Sequence, residues 1–177
     1  MFTLITGGSG SGKSEYAEMV ATSYQTENRI YIATMFPFDE ECNQKILRHK
    51  KMREAKNFHT IECYTGLRNL ILPSNSTVLL DCLSNLVANE RYQENGSKNQ
   101  LVEEIIQGVK TIRKNTTHLV IVTNEVFSDG IEYDGETIQY LHDLGEVNCA
   151  LAKLADEVIE IVYTIPIFHK SSFFISH

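Results

Sequence analysis

The chain has 177 residues, 42% of them hydrophobic and 22% charged, which suits one soluble globular domain of ordinary size able to bury a core without staples. A formal net charge of −7 excludes the basic excess that a nucleic-acid or anionic-membrane surface needs. Cys42, Cys63, Cys82 and Cys149 form no C-x-x-C pair, so zinc and thioredoxin-like chemistry are not expected.

The first apolar run, Phe2–Thr6, reads as a strand and leads into Gly-Gly-Ser-Gly-Ser-Gly-Lys-Ser at residues 7–14. This matches the phosphate-binding loop G-x-x-x-x-G-K-[ST] in its confirming context, strand before and helix after. In such a loop, glycines let backbone N–H groups close around a polyphosphate, and the helix start adds its positive dipole end. Gly7, Gly8, Ser9, Gly10, Ser11, Gly12, Lys13 and Ser14 are therefore candidate nucleoside-triphosphate contacts. Lys13 would reach the β- and γ-phosphates and the Ser14 hydroxyl would take Mg²⁺. A dinucleotide fingerprint fails, because its third glycine falls on Lys13. The N-terminus enters a strand directly and no apolar run has membrane length, so no signal peptide, no membrane span and a cytoplasmic location are expected.

Further strands are predicted at Ile30–Thr34, Thr60–Tyr64, Val78–Cys82, Leu119–Thr123 and Val158–Tyr163. Helices are predicted over about 13–25, 39–55, 83–92, 99–114 and 135–155. Short apolar strands alternating with helices imply a mainly parallel sheet covered on both faces, within a single domain spanning residues 1–177. Ligands of such sheets sit beyond the strands' carboxyl ends. Asp81, closing Val-Leu-Leu-Asp, suits the acid that holds Mg²⁺ beside the loop serine, or the N-cap of the next helix. Glu125 in Val-Thr-Asn-Glu-Val is a second carboxylate, catalytic or capping.

The 39–55 helix carries Lys45, Arg48, His49, Lys50, Lys51 and Arg53. Positions 45, 49 and 53 share one face, placing His49 between two cations. Taken alone, that face is either a solvated basic surface or a phosphate site.

In order along the chain, these segments resemble the cobinamide kinase/cobinamide-phosphate guanylyltransferase family of cobalamin biosynthesis. The resemblance is carried by Leu4–Gly8 with Ser11–Ser14, Tyr31–Thr34, Ile46–Lys50 with Arg53, Thr60–Glu62 and Leu79–Cys82. It continues through Val122–Val126, Gly145–Asn148 and Leu151–Val158. The family implies a P-loop-like three-layer α/β fold, a trimer, and GTP or ATP with a corrinoid as substrates. It further implies phosphorylation of the aminopropanol hydroxyl of adenosylcobinamide, then transfer of GMP from GTP through a guanylyl-histidine. His49 matches that histidine. Ala33, Thr34, Lys50, Lys51, Met52, Arg53 and Glu62 match the nucleotide-contacting segments. Imidazole suits the role because it is nucleophilic near neutrality and forms a labile P–N bond.

The chain departs from the family pattern at Gly10 (commonly Arg), Glu54 (Pro), Phe58 (Trp), His142 (Asp) and Cys149 (Gln). Glu132, Tyr133, Asp134 and Gly135 replace a usual Pro- and Asn-containing stretch. The nucleotide half thus carries more of the resemblance than the corrinoid half. Two rival readings are a P-loop kinase of another small metabolite, which needs no nucleophilic histidine, and a nucleotide switch that only orders loops.

Overall fold

The computed structural model describes residues 1–38, 40, 43, 44, 46, 47, 50, 51, 56–128, 130 and 132–171. Seven strands form one sheet: β1 (Phe2–Thr6), β2 (Asn28–Ala33), β3 (His59–Glu62), β4 (Ser76–Asp81), β5 (His118–Val122), β6 (Glu157–Val162) and β7 (Ile165–Lys170). Their order is β3-β2-β4-β5-β1-β6-β7. Every neighbouring pair is parallel except β6–β7, which is an antiparallel hairpin.

Among the described residues the sheet is covered by α1 (Lys13–Ser23), α2 (Leu83–Tyr92), α3 (Leu101–Asn115) and α4 (Gly135–Leu154). Glu40, Asn43, Gln44, Ile46, Leu47, Lys50 and Lys51 are also helical, within the expected 39–55 helix. The central strands alternate large apolar residues between the two faces. Ile5, Tyr31, Leu79, Val120 and Val122 pack with Ala17 and Ala21 of α1. Leu4, Ile32, Val78, Leu80 and Ile121 pack with Leu86 of α2, Ile105 and Val109 of α3, and Leu144 and Val147 of α4. One face thus carries α1 and the other three helices, giving the expected three layers. Each such fully buried aliphatic side chain contributes about 1.5–3 kcal/mol.

Register fixes what the site inherits. Ile5 pairs with Val122, Val122 with Asp81, Asp81 with Ala33, and Ala33 with Glu62. These five residues form one row across five strands at the carboxyl edge of the parallel sheet, so the chain leaves β1, β4, β2 and β3 at one level.

Each of β2 to β6 departs from its expected bounds by one or two residues at both ends. β2 begins at Asn28 and β4 at Ser76, earlier than expected, because partly or fully buried polar residues still extend the ladder. β7 was not expected at all: it is an edge strand with Pro166 in it and four exposed positions.

Candidate active site

Beyond β1 the loop is shaped by glycine. A Cβ on Gly7 would lie 2.6 Å from Ser11 Oγ and 2.7 Å from the Ile161 carbonyl oxygen. Gly12 has φ +90°, where L side chains are strained, and it caps α1 without any side-chain hydrogen bond. The first amides of α1 are therefore not closed off by a capping side chain from Gly12, as an anion site at a helix start requires. The Gly8 carbonyl accepts from Ser11 N at 3.3 Å and from Lys13 Nζ at 3.2 Å, which folds the lysine over its own loop.

The loop faces a cavity of about 320 Å³. Ser9, Lys13 and Ser14 line one side, Ala33 and Glu62 another, and Asp81 the end of β4. Ile46 and Lys50, both helical, also line it. Seven residues expected from sequence are thus gathered in one space: Ser9, Lys13, Ser14, Ala33, Lys50, Glu62 and Asp81. Ser14 and Asp81 offer oxygen donors, the kind Mg²⁺ takes.

Asp81 does not cap α2, whose N-cap is Cys82 with no side-chain bond. It instead accepts a hydrogen bond from the Tyr31 hydroxyl at 2.8 Å. Glu125 caps no described helix; its Oε1 accepts from Phe127 N and Ser128 Oγ, both at 3.0 Å, within the loop after β5.

Thr34 follows directly on β2 and is not among the residues lining the cavity. Its side chain is wholly buried and spent on Cys82, donating to the Cys82 carbonyl at 2.8 Å and accepting from Cys82 N at 2.9 Å. Asn89 Nδ2 donates to the Thr34 carbonyl at 2.8 Å. Thr34 therefore ties the end of β2 to Cys82 at the cavity floor. Lys51 is helical and exposed but does not line the cavity. His49, Met52 and Arg53, with Lys45 and Arg48, lie outside the described residues.

Several lining residues escaped sequence reasoning. Asn124 stands two residues beyond β5, with Nδ2 donating to Ser84 Oγ at 2.6 Å, and Asn85 lies in the first turn of α2. Their signal was position alone, polar residues at the carboxyl edge of the sheet. Tyr64 also lines the cavity and donates to Glu62 Oε2 at 3.0 Å. Burial, then the Glu62 carboxylate, pushes the Tyr64 hydroxyl up to about 12, so it stays a donor. Cys82 lies at the floor, its thiol pushed up by burial and then by Asp81. Away from this cavity, His142, Asp143 and Glu146 bring ligand atoms within 4.8 Å of one another. Arg91 already holds the Asp143 carboxylate there, with Nε to Oδ2 at 2.6 Å, which disfavours a cation.

A glycine loop between a parallel strand and a helix start, opening on an acid at the end of β4, defines a P-loop α/β protein. Residues 3–168 match the family described as cobinamide kinase / cobinamide phosphate guanyltransferase. The chain belongs to that family, and its members are transferases. The bifunctional adenosylcobalamin biosynthesis proteins CobU of Salmonella typhimurium and Escherichia coli are each 32% identical to it over 178 residues. Both alignments span 92% of this chain and 96% of the relative. The crystal structure of flagellar accessory protein FlaH from Methanocaldococcus jannaschii gives a TM-score of 0.48 at 14% identity, covering 97% of this chain and 79% of that one.

Proposed function

We propose that this chain, acting as one domain, phosphorylates the aminopropanol hydroxyl of adenosylcobinamide and then guanylylates the product to adenosylcobinamide-GDP. The observation that carries the reading is the convergence of Lys13, Ser14 and Asp81 on one cavity in a chain of this family.

In the first reaction the P-loop amides and Lys13 take charge from the β- and γ-phosphates while the substrate hydroxyl attacks the γ-phosphorus. The hydroxyl loses its proton to solvent as the β–γ bond breaks and the nucleoside diphosphate leaves. Catalysis here is mainly positioning and charge stabilisation. Ser14 and Asp81 are the proposed holders of Mg²⁺, which would neutralise phosphate charge. In the second reaction a His49 ring nitrogen attacks the α-phosphorus of GTP and pyrophosphate leaves. The phosphate oxygen of adenosylcobinamide phosphate then attacks the same phosphorus and His49 departs. Glu62, Ala33 and the proposed Met52 and Arg53 would complete the nucleotide contacts.

The assembly proposed is a homotrimer in the cytoplasm. Exposed Ile165, Ile167 and Phe168 on β7 support association, since apolar surface of this kind marks interaction sites.

The test is incubation with adenosylcobinamide, GTP and Mg²⁺, followed by mass spectrometry of the corrinoid. Sequential gain of a phosphoryl and then a guanylyl group supports the reading. A product that stops at the phosphate indicates a kinase alone. An unchanged corrinoid, with GTP bound, indicates a nucleotide switch.

A further inference from the structure

The β6–β7 hairpin turns through Tyr163 and Thr164, with Val162 paired to Ile165 on either side. Their φ angles are 49° and 68°. Two successive left-handed residues make the hairpin turn that Asn-Gly ordinarily fills. A β-branched residue in that backbone region is sterically unfavourable. A hairpin needing only to turn would carry glycine or asparagine at position 164.

Contacts to the P-loop account for the threonine. Thr164 N donates to the Ser11 carbonyl at 2.9 Å, and its Cγ2 stands 3.0 Å from where a Cβ on Gly12 would be. Three residues earlier, the Ile161 carbonyl crowds Gly7 in the same way, at 2.7 Å. The hairpin therefore bounds the loop at both of its end glycines. Gly12 is the N-cap of α1, so the orientation of its peptide sets where the first amides of the helix point. Strained residues persist where surrounding structure holds them, and they concentrate at functional sites.

We propose that Thr164 is a positioning residue for the P-loop. Its N–H tethers Ser11 and its methyl wedges against Gly12, holding the loop amides in the conformation that receives a triphosphate. Thr164 touches no substrate; it acts through Ser11 and Gly12. The inference rests on the triphosphate site proposed above.

The test compares wild type, Thr164→Gly and Thr164→Val in full-length protein, by calorimetric titration with GTP and Mg²⁺ and by thermal unfolding. Glycine removes both the wedge and the left-handed strain, so Tm should hold or rise by up to about 4 °C. Affinity for GTP should nevertheless fall roughly tenfold, because small displacements of phosphate-binding groups are costly. Valine keeps a branched Cγ against Gly12 and should bind GTP nearly as wild type does. A merely structural turn would move stability and affinity together. Wild-type affinity in Thr164→Gly overturns the inference alone, as does a valine variant that loses as much as glycine. A wild-type chain that fails to bind GTP overturns the triphosphate site and this inference with it.

Discussion

The Tyr31 hydroxyl donates to Asp81 Oδ2 at 2.8 Å, linking two residues on paired strands whose ends both face the cavity. Tyr31 thereby fixes one carboxylate oxygen of the proposed Mg²⁺ holder. Asp81→Asn should raise the Mg²⁺ concentration for half-maximal activity by about tenfold or more, a loss of about 1.4 kcal/mol. Tyr31→Phe keeps the carboxylate and loses one hydrogen bond to a charged group, so a smaller rise is expected. Magnesium titrations of the kinase step check both; an unchanged requirement in Asp81→Asn would remove Asp81 from the metal site.

Lys13 and His49 should separate the two reactions. Lys13→Ala should lower both by about a hundredfold or more, because both draw on one anchored triphosphate. His49→Ala should abolish guanylyl transfer and leave phosphorylation measurable. Assays of each step with its own corrinoid substrate, cobinamide or its phosphate, give the comparison. Survival of either activity in Lys13→Ala would break the one-site account.

What the sequence disclosed follows from how local each signal is. The P-loop was legible because strand, glycines, lysine and helix start are contiguous over residues 2–14. The central strands were legible because burial on both faces leaves near-continuous apolar runs, as in Val78–Leu80 and Leu119–Val122. β7 was hidden because its residues are mostly exposed and include Pro166. The row Ile5–Val122–Asp81–Ala33–Glu62 depends on strand order, which no local pattern states. Thr34 entered through the family resemblance, and its bonds to Cys82 join residues that no local pattern relates. The Thr164–Ser11 bond joins residues distant in sequence, beyond the reach of any motif.

Thiol reactivity should report the burial around the site. Burial, reinforced by Glu90, pushes Cys63 up to about 11, and burial likewise raises Cys82. Cys149 is free and exposed. Thiolate is the reactive form, so brief maleimide treatment near neutral pH should modify Cys149 while sparing Cys63 and Cys82. Peptide mapping reads the result, and unfolding in denaturant should equalise the three. Early labelling of Cys82 would mean that the cavity floor is open.

Stability should fall as solution becomes mildly acidic, partly through His118. Desolvation, then the positive N-terminus, holds its imidazole below the ordinary 6.5, and its ring stacks on Tyr24 at 3.6 Å. As pH drops below about 6.5 the unfolded chain takes up this proton before the folded chain does. The contribution is therefore complete above that value and is lost as pH falls toward the lower folded pKa. His118→Phe retains the stack without a titrating group, and its Tm should decline less between pH 7 and pH 5. An equal decline in both proteins would assign the pH dependence elsewhere.

The most direct test of the proposed two-reaction enzyme is covalent labelling with GTP carrying label at the α-phosphate, run beside GTP labelled at the γ-phosphate. The prediction is acid-labile, base-stable label on the protein from the α position only, absent in His49→Ala. No protein-bound label while GTP binds would contradict guanylyl transfer through histidine.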